Sequence, residues 1–243
     1  LNTMSVLFLD IETIPQHPSF DTCPEEVKKL WSRKAGNLKH EPEESVEDLY
    51  KRAGIYAEFG QIICISTGFV HKVNGIETLR IKSFYGHDEK ALLTDFADLL
   101  CNSFSSSDSR LCAHNGKEFD FPFLARRMVI NGIQLPTILD IAGKKPWEVN
   151  FLDTMEMWKF GDFKSYTPLN LLTHVLGIPS PKDDIDGSQV WSVYWIEKDL
   201  ERINKRRIGR NEEPYELLYN GEDVEAALSL FKTIDYETPF VIE

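Results

Sequence analysis

Apolar residues recur with two different periods in this chain, and the switches between them outline most of its elements. Val6-Leu7-Phe8-Leu9 is an unbroken apolar run closed by Asp10, which predicts a buried strand over 6–10. Gln61 to Val70 has a β-branched strand composition, and Glu77 to Phe84 alternates well enough to be its hairpin partner. Leu111 to His114 and Phe151 to Thr154 are short apolar stretches that predict a fourth and a fifth strand. Helical spacing replaces alternation at Leu92, Leu93, Phe96, Leu99 and Leu100, giving a helix over 88–101. A second helix follows Asp120 through Phe123, Leu124, Arg127 and Met128 and stops at Asn131-Gly132. Three more helical stretches are expected at about 167–176, 188–204 and 215–233. Strands first and helices later predict an α/β fold, a mixed central sheet of about five strands covered by helices.

Residues 15–58 interrupt this order. They are polar, rich in Glu and Lys, and carry Pro15, Pro18, Pro24 and Pro42, so they read as an excursion with one or two short helices within a single domain over 4–243. Asn102 to Arg110 is a Ser-rich loop. No apolar run approaches the roughly 18–20 residues that cross a bilayer. Cys23, Cys64, Cys101 and Cys112 lack CxxC spacing, which argues against a zinc knuckle or a redox pair and favours a reduced, cytoplasmic protein.

Charge narrows the candidate chemistry. The net charge of −12 counts against loose duplex binding, which depends on many Lys and Arg contacts to phosphate. The nearest approach to a basic run, Lys205-Arg206-Arg207 with Arg210, reads as a solvated helix end or loop ahead of a phosphate contact. Neither a Gly-rich phosphate loop nor a Ser-His-Asp context is present. The carboxylates are more informative. Asp10 and Glu12, at i and i+2 of a strand, point to the same side, where their mutual repulsion is relieved by a divalent cation. Hard oxygen ligands suit Mg²⁺ or Mn²⁺. Asp120 precedes a helix with Pro122 in its first turn, so it is placed to cap that helix as well as to hold a metal. Of the eight tyrosines only Tyr219 has an Asp four residues later, Asp223, one helical turn away.

Taken singly these signals are common; their order and contexts are not. Leu9-Asp10-Ile11-Glu12-Thr13, Asn115 to Asp120, and Tyr219 to Asp223 resemble the three motifs of the DEDD 3′–5′ exonuclease superfamily in its tyrosine form. The histidine form has its His five residues before the final Asp, where this chain has Leu218. Phe59 to Ser66 and Leu169-Asn170-Leu171-Leu172, with Leu176-Gly177, extend the similarity to the exonuclease domain of family B DNA polymerases and its stand-alone relatives. The resemblance spans about residues 4–235 and leaves no room for a polymerase palm or fingers.

That resemblance implies an RNase H-like fold and a two-metal mechanism, with ions roughly 4 Å apart at the scissile phosphate. By position, Asp10 would bridge both ions, Glu12 and Asp223 would complete the first shell, Asp120 would hold the second ion, and Tyr219 would orient the attacking water. Asn115, Phe119 and Thr13 are candidate substrate contacts. The expected substrate is a single-stranded nucleic acid with a free 3′ end, DNA ahead of RNA, and the product a nucleoside 5′-monophosphate. Weaker candidates are Asp153 and Lys164 as supporting or phosphate contacts, and His114 near the site. Trp191, Tyr194 and Trp195 share a helical face better suited to core packing than to base stacking. A catalytically silent binding module of the same fold is the rival from another class. A two-carboxylate glycosidase explains neither Tyr219 nor the adjacency of Asp10 and Glu12.

Overall fold

The computed structural model describes residues 5–38, 43–73, 76–162, 164, 166–178, 187, 189–204 and 221–234, except for the side chains of 72, 73, 76–78, 146, 204 and 221–223. The chain opens with β1 (Ser5–Pro15). The excursion follows with α1 (Glu25–Ala35), α2 (Val46–Leu49) and a 3₁₀ turn, Tyr50–Ile55. The hairpin β2 (Gly60–Val73) and β3 (Ile76–Tyr85) leads to α3 (Glu89–Ser103), β4 (Ser109–Ala113) and α4 (Asp120–Ile130). Then come β5 (Leu152–Asp153), α5 (Thr154–Lys159), α6 (Leu169–Leu176), α7 (Val190–Ser192), α8 (Leu200–Asn204) and α9 (Gly221–Ile234).

The five strands form one sheet in the order β3-β2-β1-β4-β5. β2 runs antiparallel to both of its neighbours, β1 and β3, whereas β4 pairs parallel with β1 and β5 parallel with β4. This is the mixed five-stranded sheet flanked by helices that an RNase H-like fold requires. β1 lies at its centre, and the alternation of its side chains decides what each face does. Leu7, Leu9 and Ile11 enter the main core with Phe96 and Leu100 of α3 and Leu124 and Met128 of α4. Phe8 faces the other way, into a cluster with Val224, Ala227 and Leu228 of α9. Further along that second face, Ile14 packs with Val190, Val193 and Tyr194. Asp10 and Glu12 therefore sit between two apolar clusters, at the seam left between α9 and the α7 region.

β1 runs past the predicted stop at Asp10 as far as Pro15, because its pairing with β2 continues. The register steps between Glu12 and Thr13, where Ile63 is left over on β2. This bulge falls after the two carboxylates, so they keep a common face. The single helix expected over 188–204 is instead broken. After α7 comes a π-helical turn, Val193–Glu197, then Lys198 with φ 60°, then α8. Apolar spacing does not reveal the kink, since Val193, Tyr194 and Ile203 all bury against Ile14 and Ile63 on either side of it. The last strand is also shorter than expected: Asp153 accepts N–H bonds from Met155 and Glu156 and so starts α5 at Thr154.

The excursion has its own small core. Trp31 is fully enclosed, with Tyr50 and Phe59 edge-on at ring centroid distances of 5.5 and 5.2 Å. Its return passes tightly over β1. A Cβ on Gly54 would lie 3.0 Å from the Ile14 carbonyl carbon, and one on Gly60 would lie 2.6 Å from Gly54 O. Cys23, Cys64 and Cys112 are buried and Cys101 exposed, all as free thiols. Among the described residues no helix is long and apolar enough to cross a membrane.

Candidate active site

The site is organised by the point at which β4 stops. β1 pairs with β4 from Ser5 opposite Ser109 to Phe8 opposite Cys112, and β4 ends at Ala113. β1 continues, so the two parallel neighbours diverge and a crevice opens at the carboxyl end of β4, where ligands collect in open α/β sheets. Past that end the Ile11 N–H has no strand beside it. Asp120 Oδ1 accepts it at 3.1 Å. Asp120, more than a hundred residues away in sequence, is thereby tied to the residue between Asp10 and Glu12.

This bond also corrects the capping expectation. α4 begins at Asp120 itself, so its N-cap is Phe119, which makes no side-chain cap, and the Asp120 carboxylate reaches to β1 as well as to its own backbone N–H. The Asp120 carboxyl is 3% exposed and its pKa is pushed up to about 7. Burial is the main cause, and the nearby charges of Asp153 and Glu12 add to it. Glu12 is also buried, at 8% exposure, while Asp10 is half-buried.

The turn that presents Asp120 is fixed from below by Asp153. Its Oδ1 accepts the Asn115 N–H and its Oδ2 the Lys117 N–H, each at 3.0 Å, while Oδ1 also accepts from Met155. In the described structure Asp153 holds backbone, not a neighbouring carboxylate. Asn115 adopts φ 64°, a left-handed conformation that Asn tolerates better than most residues. Gly116 follows because a Cβ there would lie 2.4 Å from the Ala113 Cβ and 3.0 Å from the Phe121 ring. His114 bridges Thr154 Oγ1 at 2.9 Å and the Thr167 carbonyl at 3.0 Å, and burial keeps its imidazole below the usual pKa.

A cleft of about 820 Å³ opens over Asp10 and Glu12, and Thr13 and Phe119 line it as well. Asn115 is not among its described lining residues. Lys164 is exposed, its N–H donated to Asp162. Tyr219 lies outside the described residues, as do Lys205, Arg206, Arg207 and Arg210. The backbone of Asp223 falls in α9, and its side chain is outside them. The aromatic trio divides: Tyr194 is buried with its OH 2.8 Å from His87 Nδ1, Trp195 donates to Pro15 O, and Trp191 both donates to Pro18 O and lines the cleft. Lys51, Arg52, Ile55 and Tyr166 also line it. They sit outside every motif, and only the path of the chain brings them there.

Among the described residues no three His, Cys, Asp or Glu side chains form a ready metal cluster. The donor set is nevertheless of the right kind. Asp10, Glu12 and Asp120 offer only carboxylate oxygens, and Asp120 is raised in pKa partly by Glu12, a cost that a divalent cation between them would offset.

Residues 55–206 match a family described as a predicted 3′–5′ exonuclease related to the exonuclease domain of PolB. The chain belongs to this family. The matched stretch contains Asp120 but not Asp10, Glu12, Tyr219 or Asp223. No curated protein matches the chain. Among solved structures, a product-bound exonuclease I aligns at 11% identity and a TM-score of 0.41, covering 83% of this chain and 45% of that one. Exonuclease I of Methylocaldum szegediense gives 11% and 0.41, with 83% and 42% covered. The zinc-bound E. coli ExoI–ssDNA complex gives 10% and 0.41, with 84% and 41% covered. This chain thus spans less than half the length of those exonucleases.

Proposed function

We propose that this protein is a divalent-metal-dependent 3′–5′ exonuclease that hydrolyses phosphodiester bonds at the 3′ ends of single-stranded DNA and releases nucleoside 5′-monophosphates. The observation that supports this reading is the Asp120–Ile11 hydrogen bond, which ties Asp120 to the residue between Asp10 and Glu12, two carboxylates that line the cleft. Asp10, Glu12, Asp120 and Asp223 would hold two Mg²⁺ or Mn²⁺ ions, which when bound supply Lewis acidity at the scissile phosphate. Tyr219 orients the attacking water; an ordinary tyrosine pKa near 10 makes it a poor base. Thr13 and Phe119, on the cleft walls, flank the terminal nucleotide, and Asn115 keeps the Asp120 turn in shape. DNA is preferred to RNA because the family is related to the exonuclease domain of PolB. Free thiols at all four cysteines suit a reducing, cytoplasmic setting.

The test is digestion of a 5′-labelled single-stranded DNA, and of its RNA counterpart, with Mg²⁺ or Mn²⁺. Wild type should produce a ladder from the 3′ end. Asp10→Ala should slow it by roughly 10³-fold, since several kcal/mol of transition-state stabilisation are removed. If neither strand shortens with either ion, the hydrolytic reading fails and the binding-module reading replaces it.

A further inference from the structure

The cleft extends well beyond the carboxylates. Part of its lining comes from the excursion: Lys51, Arg52 and Ile55, in the 3₁₀ turn after α2, line it together with Asp10 and Glu12. Trp191 adjoins this wall, with Lys51 Nζ 5.6 Å from its ring centroid. Phe119 and Tyr166 line the cleft too. Of the acidic residues on the rim, Asp48 is turned back on its own helix, its Oδ2 accepting from the Ser45 hydroxyl at 2.7 Å and the Ser45 N–H at 3.2 Å.

We infer that this wall is a binding subsite for single-stranded nucleic acid, in which Lys51 contacts a phosphate and Trp191 stacks against a base, one or more nucleotides upstream of the 3′ terminus. The chemistry selects the occupant. A cation beside a flat apolar ring, repeated along a groove, fits a polymer of alternating phosphates and unpaired bases, and stacking tolerates any base. A duplex keeps its base faces covered and offers nothing for Trp191. Lys51 and Arg52 are the basic side chains among the described lining residues, which also include Asp10, Glu12, Glu44 and Asp48, so a phosphate entering the cleft would be met at these two.

The wall is preorganised. Trp191 Nε1 donates to Pro18 O at 3.0 Å and Trp195 Nε1 to Pro15 O at 3.1 Å, latching the α7 region onto the start of the excursion. Lys51 follows Tyr50, which is buried against Trp31, and the turn cannot lift because Gly54 is pressed onto Ile14. A contact group held this way loses little entropy on binding. The subsite rests on the exonuclease reading in one respect, that the 3′ terminus points toward Asp10 and Glu12.

Affinity measured without turnover tests it. Fluorescence anisotropy of a short labelled oligothymidylate, titrated with intact protein in EDTA at several salt concentrations, reads Kd and its salt slope. Lys51→Ala should weaken binding several-fold and reduce the slope of log K against log salt by about 0.7, the share of one phosphate contact on a single strand. Lys90→Ala, the same charge change on the exposed face of α3, should alter neither. Trp191→Ala should weaken binding roughly 5- to 150-fold. Trp191→Phe should restore most of it, because a ring remains although the bond to Pro18 is lost. The subsite is overturned if Lys51→Ala behaves as Lys90→Ala does, if Trp191→Phe binds as poorly as Trp191→Ala, or if wild type does not bind. Wild type that binds through these residues yet never shortens the strand sinks the exonuclease reading and leaves the subsite standing. An oligouridylate arm reports whether the subsite also takes RNA.

Discussion

Arg127→Met should destabilise the protein by about 3–5 kcal/mol, the usual cost of removing one partner from a buried ion pair. Arg127 and Glu89 are 5% and 8% exposed. The guanidinium donates through Nε to Glu89 Oε1 at 2.9 Å, through NH2 to Oε2, and through NH1 to the Ala57 carbonyl at 2.8 Å. Glu89 also accepts from the Ile62 N–H at 2.7 Å and from Asn131 Nδ2 at 3.0 Å. The network therefore joins α3, α4, the start of β2 and the last residues of the excursion. Methionine fills much of the same volume, so the loss is mainly electrostatic: a buried carboxylate keeps two donors but has no opposite charge.

Adding Glu89→Gln to Arg127→Met separates that charge from the lost bonds. Glutamine can still accept from Ile62, and the remaining deficit is the unmet Ala57 carbonyl, about 1–3 kcal/mol. The double variant should therefore recover about 2 kcal/mol relative to Arg127→Met alone. Urea denaturation of the three proteins measures this. The thermal midpoint of Arg127→Met should fall by roughly 2–4 °C per kcal/mol in a chain of this size. A loss below about 1 kcal/mol for Arg127→Met, or a double variant no more stable than the single, would refute the idea that an uncompensated buried charge dominates.

Two further perturbations probe the site's surroundings. Gly68→Ala places a Cβ 2.6 Å from Val224 Cγ1, so α9 must move off β2; overpacking of this kind costs about 1–3 kcal/mol. Because α9 carries Asp223, hydrolysis should fall with it, and an unchanged denaturation midpoint would contradict the packing argument. His114 titrates in the opposite sense from a salt-bridged histidine. Burial depresses its folded pKa below the unfolded 6.5, so the unfolded chain takes up the proton first. Its contribution is intact above about pH 6.5 and is lost as pH falls through the folded value. As pH falls below about 6.5, stability should drop more in wild type than in His114→Gln, and equal slopes would show that another group is responsible.

How much of the site could be read in advance depended on whether a residue's position is set locally. Asp10 and Glu12 share a face by strand parity alone, and the reading survived because the bulge opposite Ile63 comes just after them. The two faces of β1 followed from the same alternation, and α3 and α4 from their spacing. Asp120 was recognised by its neighbours along the chain, but its partner was not, since the freedom of the Ile11 N–H depends on where another strand ends. The kink at Lys198 was hidden because both arms of the broken helix bury their apolar residues against one cluster.

The excursion shows the same limit from the other side. Its polar composition marked it as surface, and most of it is; what no local pattern could indicate is that its last turn doubles back over β1 and becomes a wall of the active-site cleft. Lys51 has no motif around it. It lies beside Trp191 because Tyr50 is buried under Trp31, Gly54 admits the Ile14 backbone, and the Trp191 and Trp195 indoles bind carbonyls at Pro18 and Pro15. Each of these is a packing or hydrogen-bonding requirement between parts of the chain far apart in sequence. The carboxylates proposed to hold the metal are legible from spacing, whereas the proposed binding wall is a product of tertiary contact. Substitutions in the excursion should accordingly change which strands bind, and how tightly, before they change whether a bound end is cut.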